Sequence, residues 1–310
     1  MNSMSGAAGD SPRHAWVDGH VVSAAGPHVS VFDRGFQLGD GVFETLRARA
    51  GRAVELDAHL ARLRRSADGL GIDLAPDADA RIAAGIAELL TAERQNGPDG
   101  DASLRITVTR GAFHGRGLLP TDESVAPTIA IQAWPVVPPP PGHLEAGLHL
   151  VASAIRRDPA NPLAALKTTS RADFVHARLE ARTAGADDAV FLTLAGDLSE
   201  ATTANVFLIR HGELATPSLD CAILPGTTRS WILAWAERVG LRPSERRLPV
   251  GDLRTADEAF LSSSVAGILP VTRFDGRPIG DGRPGPWTRR ARADREAFVL
   301  GVPARAGDAP

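Results

Sequence analysis

The chain has 310 residues, 43% hydrophobic and 23% charged, with a formal net charge of -3. That balance is ordinary for a globular protein, offers no basic surface for nucleic acid or anionic lipid, and contains no run of about 18 apolar residues that could span a membrane. Cys221 is the sole cysteine, so no disulfide can form within the chain and a reducing, cytoplasmic setting is expected; the polar N-terminus has no signal-peptide pattern.

In chain order, residues 1–13 read as a disordered tail. Strands are expected at 15–17, 29–32 and 42–49, the last turning at Ala50-Gly51. Asp57 is placed to cap a helix reaching Leu70, with Leu60, Leu63, Ala67 and Leu70 on its apolar face. A second helix is expected at 78–95. Leu104, Ile106 and Val108 alternate along a strand at 103–110, and 127–134 is another. Pro135-Val136-Val137-Pro138-Pro139-Pro140-Pro141-Gly142 is a stiff, extended connector. It separates a small α/β domain, 14–134, from a larger one, 143–302, with 135–142 as linker and 303–310 as a disordered tail. The second region opens with a strand at 148–154 and a helix at 170–183. Residues 188–194 and 203–210 form a hairpin-like unit around Ala195-Gly196-Asp197, followed by a strand at 213–215. Pro225-Gly226-Thr227-Thr228 leads into a helix at 229–239, stopped by Gly240. A strand at 259–262 ends in a serine-rich loop.

Several chemistries are excluded. The chain has no Gly-Lys-Ser/Thr phosphate loop, no G-x-S-x-G elbow and no H-E-x-x-H pair, and its histidines do not cluster at metal-ligand spacing, so no metal is expected. One absence points the other way. The 34 basic residues include a single lysine, Lys167. Arginine replaces lysine as a solvated surface charge, but not where a deprotonated amine must attack a carbonyl. Lys167 is therefore a candidate Schiff-base residue, with chance survival as the competing reading.

Pyridoxal phosphate needs an amine for its aldehyde, donors for its phosphate and a partner for its pyridine nitrogen. Thr227 and Thr228 follow Gly226 at a helix N-terminus, where unpaired N–H groups and the helix dipole favour an anion; Thr227 as a simple N-cap is the plainer alternative. Glu200 stands in an apolar stretch, where a carboxylate needs a partner such as a protonated ring nitrogen; a solvated turn acid is the alternative.

Four blocks then carry a resemblance that covers roughly residues 16–298. They are Val31-Phe32-Asp33-Arg34-Gly35-Phe36-Gln37-Leu38-Gly39-Asp40-Gly41-Val42-Phe43-Glu44-Thr45 with His59-Leu60-Ala61-Arg62-Leu63; Leu166-Lys167-Thr168-Thr169; the G-x-L-x-E-x-T-x-x-N-x-F run from Gly196 to Phe207; and Leu224-Pro225-Gly226-Thr227-Thr228-Arg229 with Ala259-Phe260-Leu261-Ser262-Ser263-Ser264. The chain resembles the class IV, or fold type IV, pyridoxal-phosphate enzymes, which include branched-chain and D-amino-acid aminotransferases and 4-amino-4-deoxychorismate lyase. The resemblance implies a two-domain α/β (α+β) fold, a small N-terminal domain and a larger C-terminal one with the cofactor between them. It implies a homodimer in which the neighbouring subunit's loops complete the site. Lys167 would carry the aldimine and shuttle the proton. Glu200 would pair with the pyridine nitrogen, and Arg62, Thr227, Thr228, Ser264 and Ser263 would bind the phosphate. Arg62 follows His59 by three residues and lies off the Leu60/Leu63 stripe, which suits that role. Asn205 would support the site from behind.

The reaction expected is transamination between an amino acid or amine and a 2-oxo acid. The alternative is β-elimination of aminodeoxychorismate to 4-aminobenzoate and pyruvate, and a third reading is a cofactor-binding protein without turnover. The chain has no tyrosine. Phe36 and Leu38 stand where the family's aminotransferases often carry one, which bears on substrate choice. Gln37 and the Ser170-Arg171 pair lean toward the lyases. Arg105, Arg116 and Arg171 are candidates to hold a substrate carboxylate bidentately, against surface charge as the plainer reading of each.

Overall fold

The computed structural model describes residues 13–120 and 125–302. The expected tails lie outside the described residues except for Arg13. Two compact units divide the chain: one runs to Val137 and also holds Lys167–Ser170, and the other holds Pro138–Leu166 and continues from Arg171.

The first unit contains β1 (His14–Val17), β2 (His20–Ser23), α1 (Arg34–Leu38), β3 (Gly41–Arg49), β4 (Arg52–Ala53), α2 (Leu56–Gly69), α3 (Ala78–Ala92), β5 (Asp101–Thr109) and β6 (Thr128–Pro135). Its sheet is antiparallel throughout, in the order β2-β1-β6-β5-β3-β4. Burial alternates along β5 and β6 as a period of two requires. One face, with Leu46, Leu104, Ile106, Val108, Ile129 and Ile131, packs against Leu60, Leu63 and Ala67 of α2 and Ile82, Ile86 and Leu89 of α3. The opposite face carries Phe43 across from Thr107, and Arg105 across from Gln132.

Two local expectations are corrected here. Residues 29–32 form turns rather than a strand, because the Asp33 carboxylate accepts hydrogen bonds from the Gly35 amide and the Thr109 hydroxyl and so starts α1. Asp57 does not cap α2. Glu55 holds the capping position in a left-handed conformation (φ 54°), and Asp57 falls in the first turn.

The second unit contains α4 (Pro141–Glu145), β7 (Leu148–Arg157), α5 (Ala172–Thr183), β8 (Asp188–Thr193), β9 (Leu198–Ala201), β10 (Asn205–Arg210), β11 (Glu213–Pro217), α6 (Thr227–Arg238), β12 (Arg242–Arg246), α7 (Val250–Thr255), β13 (Glu258–Ser263), β14 (Gly267–Phe274), β15 (Arg277–Pro278) and α8 (Pro286–Val299). The mixed sheet runs β12-β11-β10-β13-β14-β7-β8-β9, with β15 beside β14. The expected pairing of 188–194 with 203–210 is replaced by β8 with β9, and β10 pairs instead with β11 and β13. The Glu258 carboxylate caps α8, accepting from the amides of Trp287 (3.1 Å) and Thr288 (2.8 Å) and from the Thr288 hydroxyl (2.7 Å). Among the described residues no helix is long and apolar enough to cross a membrane.

Candidate active site

In the first unit the Lys167 segment lies along the start of β3. The Phe43 amide donates to the Lys167 carbonyl (2.9 Å), the Thr169 amide donates to the Gly41 carbonyl (2.8 Å), and the Lys167 amide donates to Ser66 Oγ (3.2 Å). Gly39 ends α1 with φ 67°, and a Cβ there would run into Ser170, so the close approach requires glycine on both counts. Lys167 Nζ sits 4.6 Å from the centre of the Phe43 ring, and the Arg105 guanidinium stacks on the same ring at 3.9 Å. Lys167 and Arg105 are thus neighbours, though they are distant in sequence. Burial lowers the Arg105 pKa, and its Nε is held by Thr107 Oγ1 at 3.2 Å. A cavity of about 620 Å³ lies on this face, lined by Phe36, Thr107, Thr109, Gln132, Trp134 and Thr169 among others.

Arg62 points into a buried ion cluster. Its Nε and Nη2 donate to the two oxygens of Glu44, each at 2.7 Å, and His59 Nδ1 lies 2.7 Å from Glu44 Oε2. An ionised carboxylate only accepts, so His59 Nδ1 carries the proton. Glu44 and His59 are fully buried and Arg62 is 4% exposed. Burial alone would raise the Glu44 pKa, but the hydrogen bonds from Arg62 and His59, with their charges, override it and bring it down to about 2. The Glu44 and His59 side chains therefore fix the aim of Arg62. The motif contains both residues, but only this geometry shows why.

Phe36 and Leu38 are exposed on α1. Arg116 is exposed in a loop whose carbonyls at Gly117 and Leu118 accept from the buried Arg34.

In the second unit, Glu200 lies on β9, 6% exposed. Its Oε2 accepts from the Leu224 amide (3.0 Å), and its Oε1 faces Arg157 Nη2 at 3.7 Å. Arg157 belongs to none of the sequence blocks. Its guanidinium also reaches Asp173 and the Ala222 carbonyl and stacks toward Phe174. Asn205 Nδ2 donates to the Leu224 carbonyl (3.0 Å). Both polar groups of Leu224 are thus fixed by the Glu200 block, and this sets the entry into α6. Gly226 caps α6 without a side-chain hydrogen bond, and a Cβ there would strike the Asn205 amide oxygen. The Thr227 hydroxyl lies 3.2 Å from that of Ser264, just past Ser263 at the end of β13. Thr227 and Thr228 are buried in the first turn of the helix. The first turn of α6 and the clustered hydroxyls can donate to a phosphate, and the nearby buried carboxylate can accept from a protonated ring nitrogen. Arg171 donates to the Thr202 carbonyl (2.9 Å) and stacks on Phe174.

A family model described as amino-transferase class IV matches residues 41–274. The chain belongs to this family. Class IV aminotransferases are pyridoxal-phosphate-dependent enzymes. A putative branched-chain-amino-acid aminotransferase from Methanocaldococcus jannaschii is 35% identical over 89% of this chain and 93% of its own length. The branched-chain-amino-acid aminotransferase-like protein 2 of Arabidopsis thaliana is 32% identical over 89% of this chain, which spans about half of that relative (48%). Among solved structures, the branched-chain aminotransferase of Thermoproteus uzoniensis with norvaline superposes with a TM-score of 0.82 at 28% identity, covering 94% of this chain and 96% of that one. The 4-amino-4-deoxychorismate lyase of Pseudomonas aeruginosa gives 0.78 at 32% identity, covering 92% and 98%. The fold is that of the fold type IV enzymes.

Proposed function

We propose that this chain is a transaminase that moves an amino group between an amino acid or amine and a 2-oxo acid. The observation that carries the reading is the chain's single lysine, with Nζ against Phe43 and Arg105 on the same ring, in a class IV aminotransferase. The cofactor, when bound, supplies the aldehyde and the electron-withdrawing ring. Lys167 is the amine that takes that aldehyde and then carries the substrate's α proton. Glu200, held by Leu224 and Arg157, keeps a negative charge at the ring nitrogen. Arg62, aimed by Glu44, binds the phosphate together with Thr227, Thr228, Ser264 and Ser263. Arg105 holds a substrate carboxylate, Arg116 and Arg171 are the further candidates for that role, and Phe36 and Leu38 shape the substrate pocket. The working partner is a second copy of the chain. In support, Val31, Phe36, Leu118 and Leu119 are 67–80% exposed on segments that Arg34 ties together.

The test is an absorption spectrum of the purified protein with pyridoxal phosphate, before and after adding L- and D-amino acids and simple amines. A yellow band that donors bleach supports transamination. A band that no donor bleaches favours the lyase reading, which the Pseudomonas aeruginosa likeness keeps open, and makes aminodeoxychorismate the substrate to try. A band that survives Lys167→Ala refutes the assignment of the lysine.

A further inference from the structure

We propose that Arg295 is a positioning residue for the phosphate-binding hydroxyl of Thr228, an inference that rests on the cofactor reading above. Arg295 lies on α8, 2% exposed, and its Nη2 donates to Thr228 Oγ1 at 3.3 Å. A guanidinium has donors and no acceptor, so the Thr228 oxygen must accept from it. The single hydroxyl proton of Thr228 is thereby turned away from Arg295 and left to donate elsewhere. Thr228 sits in the first turn of α6, where the helix dipole presents positive charge. A buried cation at that end of a helix adds to the attraction for an arriving anion. Arg295 is flanked by aromatic faces, its Cζ 5.2 Å from the Trp231 ring and 4.9 Å from the Phe298 ring. Its charge therefore reaches the Thr228 hydroxyl from a fixed position. α8 is in turn tied to α6 by the Trp235 indole donating to Asp294 at 2.8 Å.

The competing role is a plain staple between two helices. The two roles separate by titrating the apoprotein, through tryptophan fluorescence, with pyridoxal phosphate and with pyridoxal, which lacks the phosphate. Arg295→Met keeps apolar bulk between Trp231 and Phe298 but removes donor and charge. The expected result is pyridoxal phosphate bound roughly 10-fold more weakly with pyridoxal bound as before. In a Thr228→Val background the same change should weaken binding by a smaller factor than it does in the wild type. Equal weakening of both ligands, or of neither, overturns the positioning role. Should Arg295→Met not fold, Arg295→Leu, which also removes donor and charge, carries the same comparison. If Thr228→Val alone leaves pyridoxal phosphate binding intact, the phosphate assignment fails and the inference falls with it. If Thr228→Val weakens that binding while Arg295→Met does not, only the inference fails.

Discussion

Replacing Glu44 by Gln preserves shape and removes the charge that Arg62 and His59 share as a hydrogen-bond partner. Glu44 takes both oxygens of a fully buried carboxylate to Arg62 and one to His59. Removing one partner of such a cluster leaves Arg62 buried without its counter-ion, which costs about 3–5 kcal/mol. The pH dependence gives an independent magnitude. The Glu44 carboxyl ionises near 2 in the folded chain against 4.5 ordinarily. A depressed carboxylate contributes stability that is fully present above the unfolded value and lost as pH falls through the folded one. The window therefore runs from about 4.5 down to about 2, and the contribution is roughly 3 kcal/mol. The assay is hydrogen exchange at the amides of β3 and α2, with urea unfolding, from pH 7 to pH 3. Wild type should lose protection progressively below about pH 4.5. Glu44→Gln should begin several kcal/mol lower at pH 7 and show a shallower decline. A variant as stable as wild type at pH 7, or one with an undiminished acid slope, would refute the assignment of both energies to this cluster.

Glu200→Gln keeps an acceptor for the Leu224 amide but loses the charge proposed to face the ring nitrogen. Turnover should fall about 10- to 100-fold, the worth of one charge-assisted hydrogen bond, while cofactor binding falls less; unchanged turnover would remove Glu200 from the mechanism. Cys221 is 1% exposed, and burial raises its thiol pKa despite the Ser218 hydroxyl. Native protein at pH 8 should therefore resist a thiol reagent and react fully in urea, and rapid native labelling would contradict that burial. Lys167→Arg keeps a positive charge and should form no yellow band with pyridoxal phosphate, because the guanidinium is not a nucleophile.

Elements with a clean period of two or 3.6 were readable from sequence: β5 from its alternating Leu104, Ile106 and Val108, and α2 from its stripe of Leu60, Leu63 and Ala67. The elements missed were those whose form depends on distant partners. α8 is strongly polar along its length and is fixed by the Glu258 carboxylate at its start, a residue 28 positions before its first. β9 has only four residues and is buried on both faces, so no alternation marks it. Residues 29–32 have β-branched and aromatic character, yet the Asp33 side chain decides the backbone locally. At the candidate site, Lys167 was singled out by composition and Glu200 by its motif. The function of Glu44 and His59 was not, since a buried ion cluster depends on three side chains from two elements meeting. Arg157 belongs to no recognisable pattern, and only folding brings it opposite Glu200 and the Ala222 carbonyl.

The backbone pairing of Lys167 and Thr169 with Gly41–Phe43 has a bearing on how the chain can be made or cut. β4 reaches only Ala48 and Arg49, so the first residues of β3 have their outer edge covered by a segment made more than a hundred residues later. A fragment ending at Val137 would carry the helices and sheet of the first unit but leave that edge bare, a site for unwanted strand pairing, and would lack the only lysine. During synthesis the same edge waits open until the ribosome has passed Thr169. A split-protein design or an N-terminal fragment should place its breakpoint beyond that residue rather than in the proline-rich connector, where composition alone suggests cutting.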